Sequence, residues 1–105
     1  MRSKRRSRNG ALTLQVRWTH PALIDFLEAQ DYIANENPEA ARAVAQRIWD
    51  GAKQLGTNPK IGRVGTRPGT REWVVARTPY LIVYWIRADV VEVLRVWHGR
   101  QQRNP

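Results

Sequence analysis

The chain has 105 residues, of which 42% are hydrophobic, and a formal net charge of +9 at pH 7. This length suits one domain with a single core, and the composition is that of a globular protein. The lack of cysteine excludes disulfides and cysteine-based zinc sites and suits a cytoplasmic protein, and no apolar run reaches the ~18 residues of a membrane helix.

Charge is distributed unevenly along the chain. Residues 1–10 carry five positive and no acidic side chains, residues 11–50 have a net charge of −3, and residues 51–105 have a net charge of +7. Arginine supplies 15 of the 18 positive residues, and its planar guanidinium suits bidentate contacts with phosphate or carboxylate. The basic second half therefore predicts a polyanionic or acidic partner.

The first half of the chain predicts an arm, a strand and a helix. Residues 1–10 have no apolar residue beyond Met1 and are expected to form a disordered basic arm, followed by one domain over residues 11–105. Alternating apolar residues in 12–19 predict a half-buried strand. Thr19 is the expected N-cap of the helix that follows. On that helix an apolar stripe contains Leu23, Phe26, Leu27, Ile33 and Ala34, and a water-facing stripe contains Asp25, Glu28 and Asp31.

A second helix follows after a short connection. Asn37 caps it, Pro38 takes its first position, and Gly56 and Pro59 are expected to end it. Gly51 lies inside this helix and is expected to weaken it by up to ~1 kcal/mol relative to alanine. The short connection predicts that the two helices form an antiparallel hairpin.

The remainder of the chain predicts a loop and three strands. Residues 56–70 are rich in glycine and proline, and strands are expected at 71–77, 80–87 and 90–98. Short connections between these strands predict antiparallel pairing, with residues 80–87 central because they are apolar on both faces. The predicted fold is α+β in the order β-α-α-β-β-β, with the helical hairpin packed on one face of a mainly antiparallel, twisted sheet.

Catalysis by a metal or by a serine triad is not expected. The two histidines, His20 and His98, belong to distant elements, and the two serines, Ser3 and Ser7, lie in the arm. No cofactor is implied.

Five segments in order carry a family resemblance: VRWTHPALIDF, NPEAA, GTREWVV, PYLIVYWI and VEVLRVWHGRQ. Together they resemble the ParE branch of the RelE/ParE superfamily of type II toxin–antitoxin toxins, over residues 14–102. The resemblance implies a compact toxin held inactive by an acidic antitoxin. It also implies inhibition of DNA gyrase for the ParE branch and cleavage of mRNA on the ribosome for the RelE branch.

We interpret the chain as a gyrase-directed toxin without catalytic residues. The alternative is a metal-independent mRNA endonuclease that would use Lys60, Arg63, Arg71, Arg95 and His98, with His98 as acid or base. A further alternative is a non-enzymatic nucleic-acid-binding module that would use aromatic and arginine side chains. This alternative is disfavoured because the aromatic residues of the strands are expected to lie in the core.

Two surfaces are predicted from this interpretation. An amphipathic helix of the antitoxin is expected to cover the helical hairpin and nearby arginines. The antitoxin-binding residues are expected to be Leu23, Phe26, Leu27, Trp49, Arg71, Trp73, Arg77, Trp85 and Arg95. The target-binding residues are expected to be His98, Arg100 and Arg103.

Overall fold

Residues 4–6 and 12–100 are described by a computed structural model, in which two helices pack on one six-stranded sheet. The elements are β1 (Lys4–Arg6), β2 (Leu12–Trp18), α1 (His20–Ala34), α2 (Pro38–Thr57), β3 (Arg63–Val64), β4 (Arg71–Val74), β5 (Tyr80–Arg87) and β6 (Val90–His98). The strand order is β1-β2-β6-β5-β4-β3. β2 and β6 pair in parallel and all other neighbours are antiparallel. The predicted fold class and element order are confirmed.

β5 lies inside the sheet, between β4 and β6, as its apolar sequence predicts. Ala88 and Asp89 connect it to β6 with φ of 51° and 64°, which is the backbone of a tight two-residue hairpin loop. The β5–β6 register shifts between Val83 and Tyr84, so that Val83 pairs with Arg95 and Tyr84 with Val93. The irregularity is a β-bulge in β6, and it changes the direction of the side chains near Arg95.

Both helix starts follow the predicted capping. The Thr19 hydroxyl accepts a hydrogen bond from the Ala22 amide at 3.3 Å, and the Asn37 side chain accepts one from the Ala40 amide at 3.0 Å. The Thr19 hydroxyl also lies 2.9 Å from the carbonyl oxygen of Val93, to which it donates. The cap therefore fixes the start of α1 to β6 as well as ending the preceding strand.

The core lies between the helices and one face of the sheet. On α2 a stripe of apolar residues is buried at Ala41, Ile48, Ala52 and Leu55. From the sheet, the fully buried side chains that meet this stripe are Ile82, Tyr84, Val91 and Val93. Burial of this apolar surface is the main favourable term in folding.

The two glycines of α2 have roles that differ from the prediction. A Cβ on Gly51 would lie 3.1 Å from the Trp73 ring, so this residue allows the helix to approach the sheet and is not merely a weak point. A Cβ on Gly56 would lie 2.6 Å from the Leu14 carbonyl oxygen. The helix continues to Thr57, so Gly56 serves a close approach to β2 and does not end the helix.

Two predicted boundaries need correction. The strand predicted at 71–77 ends at Val74, because the Val75 amide donates to the Tyr80 carbonyl and the chain turns through Arg77 at a φ of 62°. The loop predicted at 56–70 contains the two-residue strand β3, which pairs with β4. Residues 4–6 of the predicted arm form β1, which pairs with the outer edge of β2, and residues 1–3 and 7–10 lie outside the described residues.

Within the described ranges, no helix combines the length and apolar character that would be needed to cross a membrane.

Candidate functional site

An aromatic cluster joins the helical hairpin to the sheet. The Trp18 ring stacks on Trp49 with centroids 5.0 Å apart, and Phe26 meets Trp18 edge-on at 5.4 Å. A groove of about 310 Å³ opens beside this cluster, between α1 and α2. The lining residues are Phe26, Gln30, Arg42, Ala45, Gln46 and Trp49. This groove offers an aromatic floor and a polar rim to a partner.

The predicted apolar stripe of α1 is only partly buried. Ala22 and Ala29 are its buried residues, whereas Leu23 and Leu27 are exposed, with 55% of Leu27 accessible to solvent. Both leucines are exposed because α2 and the sheet cover the side of α1 that carries the two alanines. Leu23 and Leu27 are one helical turn apart and follow the rim of the groove that Gln30 lines.

The prediction that the acidic stripe of α1 faces water is wrong for Asp25. Its side chain is only 11% exposed and accepts hydrogen bonds from Arg95 Nε at 2.8 Å, Arg95 Nη2 at 3.0 Å and the Val96 amide at 3.0 Å. The hydrogen bond to Asp25 raises the pKa of Arg95. The bidentate pair therefore holds α1 on β6, and the guanidinium of Arg95 is already occupied.

Arg71 and Lys60 lie at the loop end of β4. Arg71 Nη1 donates to the Gly62 carbonyl at 2.7 Å and to the Lys60 carbonyl at 3.3 Å. The buried Tyr84 hydroxyl donates to the Pro59 carbonyl at 2.7 Å and accepts from the Gly62 amide at 2.9 Å. Arg71 and Tyr84 therefore hold residues 59–62 against the sheet.

Arg63 belongs to the face of the sheet that points away from the helices. Its Nη2 contacts Glu72 Oε1 at 3.2 Å, and the Glu72 side chain is only 4% exposed. A carboxylate this buried requires a compensating cation, which Arg63 supplies.

The same face also carries a cluster that the sequence analysis did not predict. Trp85 Nε1 donates to Glu92 Oε1 at 2.7 Å, Arg17 pairs with Glu92 at 3.4 Å, and the Arg87 guanidinium lies 3.7 Å from the Trp85 ring centroid. Trp85 is thus half-buried among charged groups. The signal in the sequence is Glu92, an acidic residue among the otherwise apolar first five residues of β6.

Trp73 and Arg77 lie in different surroundings, although both are predicted antitoxin contacts. Trp73 packs against the core beside Gly51 and is half-buried. Arg77 is exposed in the turn between β4 and β5.

His98 ends β6 beside Tyr80, with the two rings edge-to-face at 5.3 Å. The Arg100 amide donates to His98 Nδ1 at 3.0 Å. Both residues line a groove of about 450 Å³ between α1 and β6, which the sequence analysis missed because Asp25, Glu28 and Tyr32 reach it from a distant part of the chain. Burial and the neighbouring Tyr32 raise the pKa of Tyr80 in this groove. Arg103 lies outside the described residues.

The five residues of the nuclease alternative do not converge. Arg71 and His98 pair with Tyr84 and Tyr80 on opposite sides of β5, which separates them by about 13 Å along the sheet and about 9 Å across it. Arg63 and Arg95 are each paired with a carboxylate. In the described part of the chain, no three His, Cys, Asp or Glu side chains gather where a metal ion would be held.

Comparison with known proteins identifies the family and the fold. Residues 16–103 match the family described as the ParE toxin of the type II toxin–antitoxin system parDE. The chain belongs to the ParE toxin family of type II toxin–antitoxin systems. This ParE-family protein is 42% identical in sequence to toxin Y4kP of Sinorhizobium fredii, and the match covers 84% of this chain and 91% of that one. It is also 38% identical to toxin RelE2 of Caulobacter vibrioides, over 81% and 94% of the two chains.

Solved structures agree with the ParE assignment. The fold is similar to a chain of the chromosomal ParDE system from P. aeruginosa, with a TM-score of 0.74, 26% identity, and coverage of 82% of this chain and 96% of that one. It is less similar to a chain of the RelBE2 toxin–antitoxin complex from Mycobacterium tuberculosis, with a TM-score of 0.53, 25% identity, and coverage of 82% and 98%. All the surfaces described above lie within the span that matches the ParE family, whereas β1 lies outside it.

Proposed function

We propose that this ParE-family toxin inhibits growth by poisoning DNA gyrase and that a cognate acidic antitoxin keeps it inactive. The observation that carries the proposal is that three arginines on the sheet are already bound to other groups of the same chain. Three that an RNA-cleaving site would need, Arg63, Arg71 and Arg95, are bound to a carboxylate or to loop carbonyls of the same chain.

The chemistry of RNA cleavage explains why this matters. Without a metal, one group must remove the 2′-hydroxyl proton, another must protonate the leaving oxygen, and cations must stabilise the charged phosphorane. These groups have to meet within a few ångströms of one phosphate. Here His98 and Arg71 are separated along and across β5, and Arg95 would have to leave Asp25 to take part.

The greater similarity to the ParDE chain supports the same choice. The TM-score is 0.74 for that chain and 0.53 for the RelBE2 chain, at equal coverage of this protein. Two toxins that share a fold can differ in target, so this comparison adds support and does not replace the argument from the site.

For the target surface we propose the end of β6 and the groove beside it. His98 and Arg100 lie here with the two tyrosines Tyr32 and Tyr80, and 73% of Tyr32 is exposed. Aromatic and arginine side chains are the residue types that most often dominate binding energy at interfaces. Arg103 stays a predicted target contact. Gyrase acts on chromosomal DNA, so the toxin would act in the cytoplasm.

For the antitoxin we propose the groove between α1 and α2. It has an aromatic floor, and Leu23 and Leu27 follow its rim, so the apolar face of an amphipathic helix fits it. Among the arginines predicted to meet the antitoxin, Arg77 is the most available to an acidic residue, because Arg71 and Arg95 are engaged within the chain.

The test of the target uses the purified toxin freed from its antitoxin. Gyrase supercoiling and the accumulation of cleaved DNA are measured with increasing toxin, and mRNA cleavage on ribosomes is mapped by primer extension at the same concentrations. We expect inhibited supercoiling, trapped cleaved DNA and intact mRNA. Ribosome-dependent cuts with unaffected gyrase would replace the proposal by the nuclease alternative.

The test of the antitoxin groove compares two exposed residues of α1. Leu27→Asp places a charge on the groove rim and should weaken antitoxin binding at least tenfold, which corresponds to about 1.4 kcal/mol. Tyr32→Asp is the matched control, since Tyr32 faces the other groove. Equal affinities for the two variants would place the antitoxin elsewhere.

A further inference from the structure

Two turns flank β4 and have nearly the same construction. The turn of residues 67–70 precedes β4, and the turn of residues 75–78 follows it. In each turn the amide of the fourth residue donates to the carbonyl of the first, at 3.1 Å for Thr70 to Arg67 and at 3.2 Å for Thr78 to Val75. The hydroxyl of the same threonine also donates to that carbonyl, at 2.7 and 3.0 Å. The two turns can therefore be compared position by position.

The third position of each turn has a positive φ, which is 80° at Gly69 and 62° at Arg77. A positive φ at this position is typical of a type II turn, which favours glycine because a side chain crowds the backbone in this conformation. The first turn follows this preference and the second does not. Arginine at position 77 therefore costs the fold stability that glycine at position 69 does not cost.

The Arg77 side chain does not offset this cost through contacts within the fold. It is exposed, and it makes no hydrogen bond or ion pair with another described residue. By contrast, Arg63, Arg71 and Arg95 are each bound to groups of the same chain. Strained residues concentrate at binding sites, where the side chain serves a partner. Arg77 is therefore a candidate contact for a partner.

The surroundings of Arg77 indicate the chemistry of that partner. The neighbouring residues Ala76 and Pro79 are exposed and uncharged, and 59% of Val74 is accessible to solvent. A nucleic acid binds through several cations along its row of phosphates. One guanidinium in a neutral and partly apolar setting suits instead a single carboxylate of a protein, which it can bind through two parallel hydrogen bonds.

The turn lies between the two surfaces proposed above. Val75, its first residue, packs against Gly51 of α2, and Trp49 of the same helix lines the antitoxin groove. Positions two apart lie on nearly opposite sides of a helix, so the width of α2, about 10 Å, separates the turn from that groove. Beyond the turn, the Pro79 carbonyl accepts a hydrogen bond from the Gly99 amide at 2.7 Å, directly after the end of β6.

We propose that Arg77 anchors an acidic segment of the antitoxin over this end of the sheet, and that the anchored segment blocks the target surface. The inference rests on the proposed function, because it takes an acidic antitoxin in the groove between α1 and α2 as the partner. An extended segment of about four residues is long enough to cross α2 from that groove to Arg77. There it lies beside the end of β6, where the target surface is proposed.

The experiment uses the full-length toxin and its cognate antitoxin, purified separately, and measures their affinity by titration calorimetry at low and high KCl. Arg77→Asn removes the charge, and asparagine tolerates the positive φ of the turn. Arg67→Asn is the matched control, because Arg67 is exposed and the substitution removes the same charge from the turn at the other end of β4. Arg77→Lys restores the charge.

We expect Arg77→Asn to bind the antitoxin about tenfold more weakly than Arg67→Asn at low salt, with a smaller difference at high salt. Arg77→Lys should recover part of the loss, and Arg77→Asn should melt at the wild-type temperature or above it. Equal affinities of the two asparagine variants would overturn the proposal. A lower melting temperature of Arg77→Asn would also overturn it, because Arg77 would then have a role in the fold.

Blocking of the target surface is measured as the antitoxin concentration that halves the inhibition of gyrase supercoiling, relative to the inhibition by each free variant. This concentration should be about tenfold higher for Arg77→Asn than for Arg67→Asn, in proportion to the loss of affinity. An antitoxin that binds Arg77→Asn weakly but suppresses it as well as the control would show that the anchor does not block the target.

Gly69→Arg tests the strain on which the inference depends. A Cβ at Gly69 meets no atom within 4 Å, so an arginine there is strained only by its backbone conformation. We expect the melting temperature to fall by about 4 °C. An unchanged melting temperature would overturn the proposal, because arginine in this turn position would then have no cost to explain.

The affinity is measured without gyrase, so that result does not depend on the target. If antitoxin binding depends on Arg77 and gyrase is unaffected by the free toxin, the proposed target fails and the Arg77 contact stands. If gyrase is poisoned and Arg77→Asn binds the antitoxin as tightly as the control, the Arg77 contact fails alone.

Discussion

The two faces of the sheet are stabilised in different ways. The face under the helices is apolar and closely packed, and its geometry depends on two glycines of α2 that meet Trp73 and the Leu14 carbonyl. The face that points away from the helices carries two ion pairs, Arg17 with Glu92 and Arg63 with Glu72. Arg17, Arg63 and Arg95 are thus paired within the fold, so the number of arginines overstates the positive charge that is left for binding a partner.

The first test concerns the packed face and should give the largest effect. Gly56→Ala would place a Cβ 2.6 Å from a backbone oxygen, which cannot move aside without shifting β2, so we expect a loss of about 3 kcal/mol in the free energy of unfolding. Gly51→Ala is the matched control, since its Cβ meets a side-chain ring at 3.1 Å and alanine favours the helix by up to ~1 kcal/mol. Urea unfolding measures both. Similar stabilities would refute the close approach at Gly56.

The second test compares ion pairs at the two faces. Asp25→Ala leaves Arg95 and the Val96 amide without their acceptor at a site where Asp25 is largely buried, and should cost about 2 kcal/mol. Glu92→Gln weakens the pair with the more exposed Arg17 and should cost less than about 1 kcal/mol. Thermal and urea unfolding in low and high salt would check the order. A larger loss for Glu92→Gln would reverse the comparison.

The third test removes one hydroxyl from the packed face. Tyr84→Phe leaves the Pro59 carbonyl and the Gly62 amide without a partner, and should lower the free energy of unfolding by about 1.5 kcal/mol. Tyr32→Phe removes the same atom from an exposed residue and should change stability very little. Faster hydrogen exchange of the Gly62 amide in the first variant alone would show that the loop has lost its support.

The smallest expected effect is a dependence of stability on high pH. Burial raises the pKa of Tyr84 above its usual 10.0, so the folded state holds the phenolic proton more tightly than the unfolded state. That stabilisation is complete below about pH 10 and is lost as the pH rises through the raised pKa of the folded protein. Urea unfolding from pH 9 to 11 should show a decline that is shallower in Tyr84→Phe. An equal decline in both proteins would mean that Tyr84 does not contribute.

Local features of the fold could be predicted from the sequence. The alternating residues before Thr19, the two capping residues and the apolar run at β5 each report an interaction between near neighbours in the chain. The helices and strands they predict are present. The exceptions at strand ends, such as the early end of β4, arise where a turn competes with pairing.

Features that join distant residues could not be predicted in this way. Nothing near Asp25 indicates that its partner is Arg95, and its spacing on α1 is that of a solvent-facing residue. The same applies to the groove at His98, which is completed by residues of α1. A pattern along the chain reports which side of a helix is polar, but the partner of each charge is decided by tertiary packing.

The parallel pairing of β2 with β6 has a consequence for synthesis on the ribosome. Thr19 and Val93 are hydrogen-bonded at this junction and are 74 residues apart in the chain. The nascent chain can therefore form its helical hairpin long before β2 pairs with β6. Contacts of such separation form late and slowly in folding. Until β6 emerges, the groove beside His98 does not exist, and an incomplete polypeptide lacks the surface that we assign to its target.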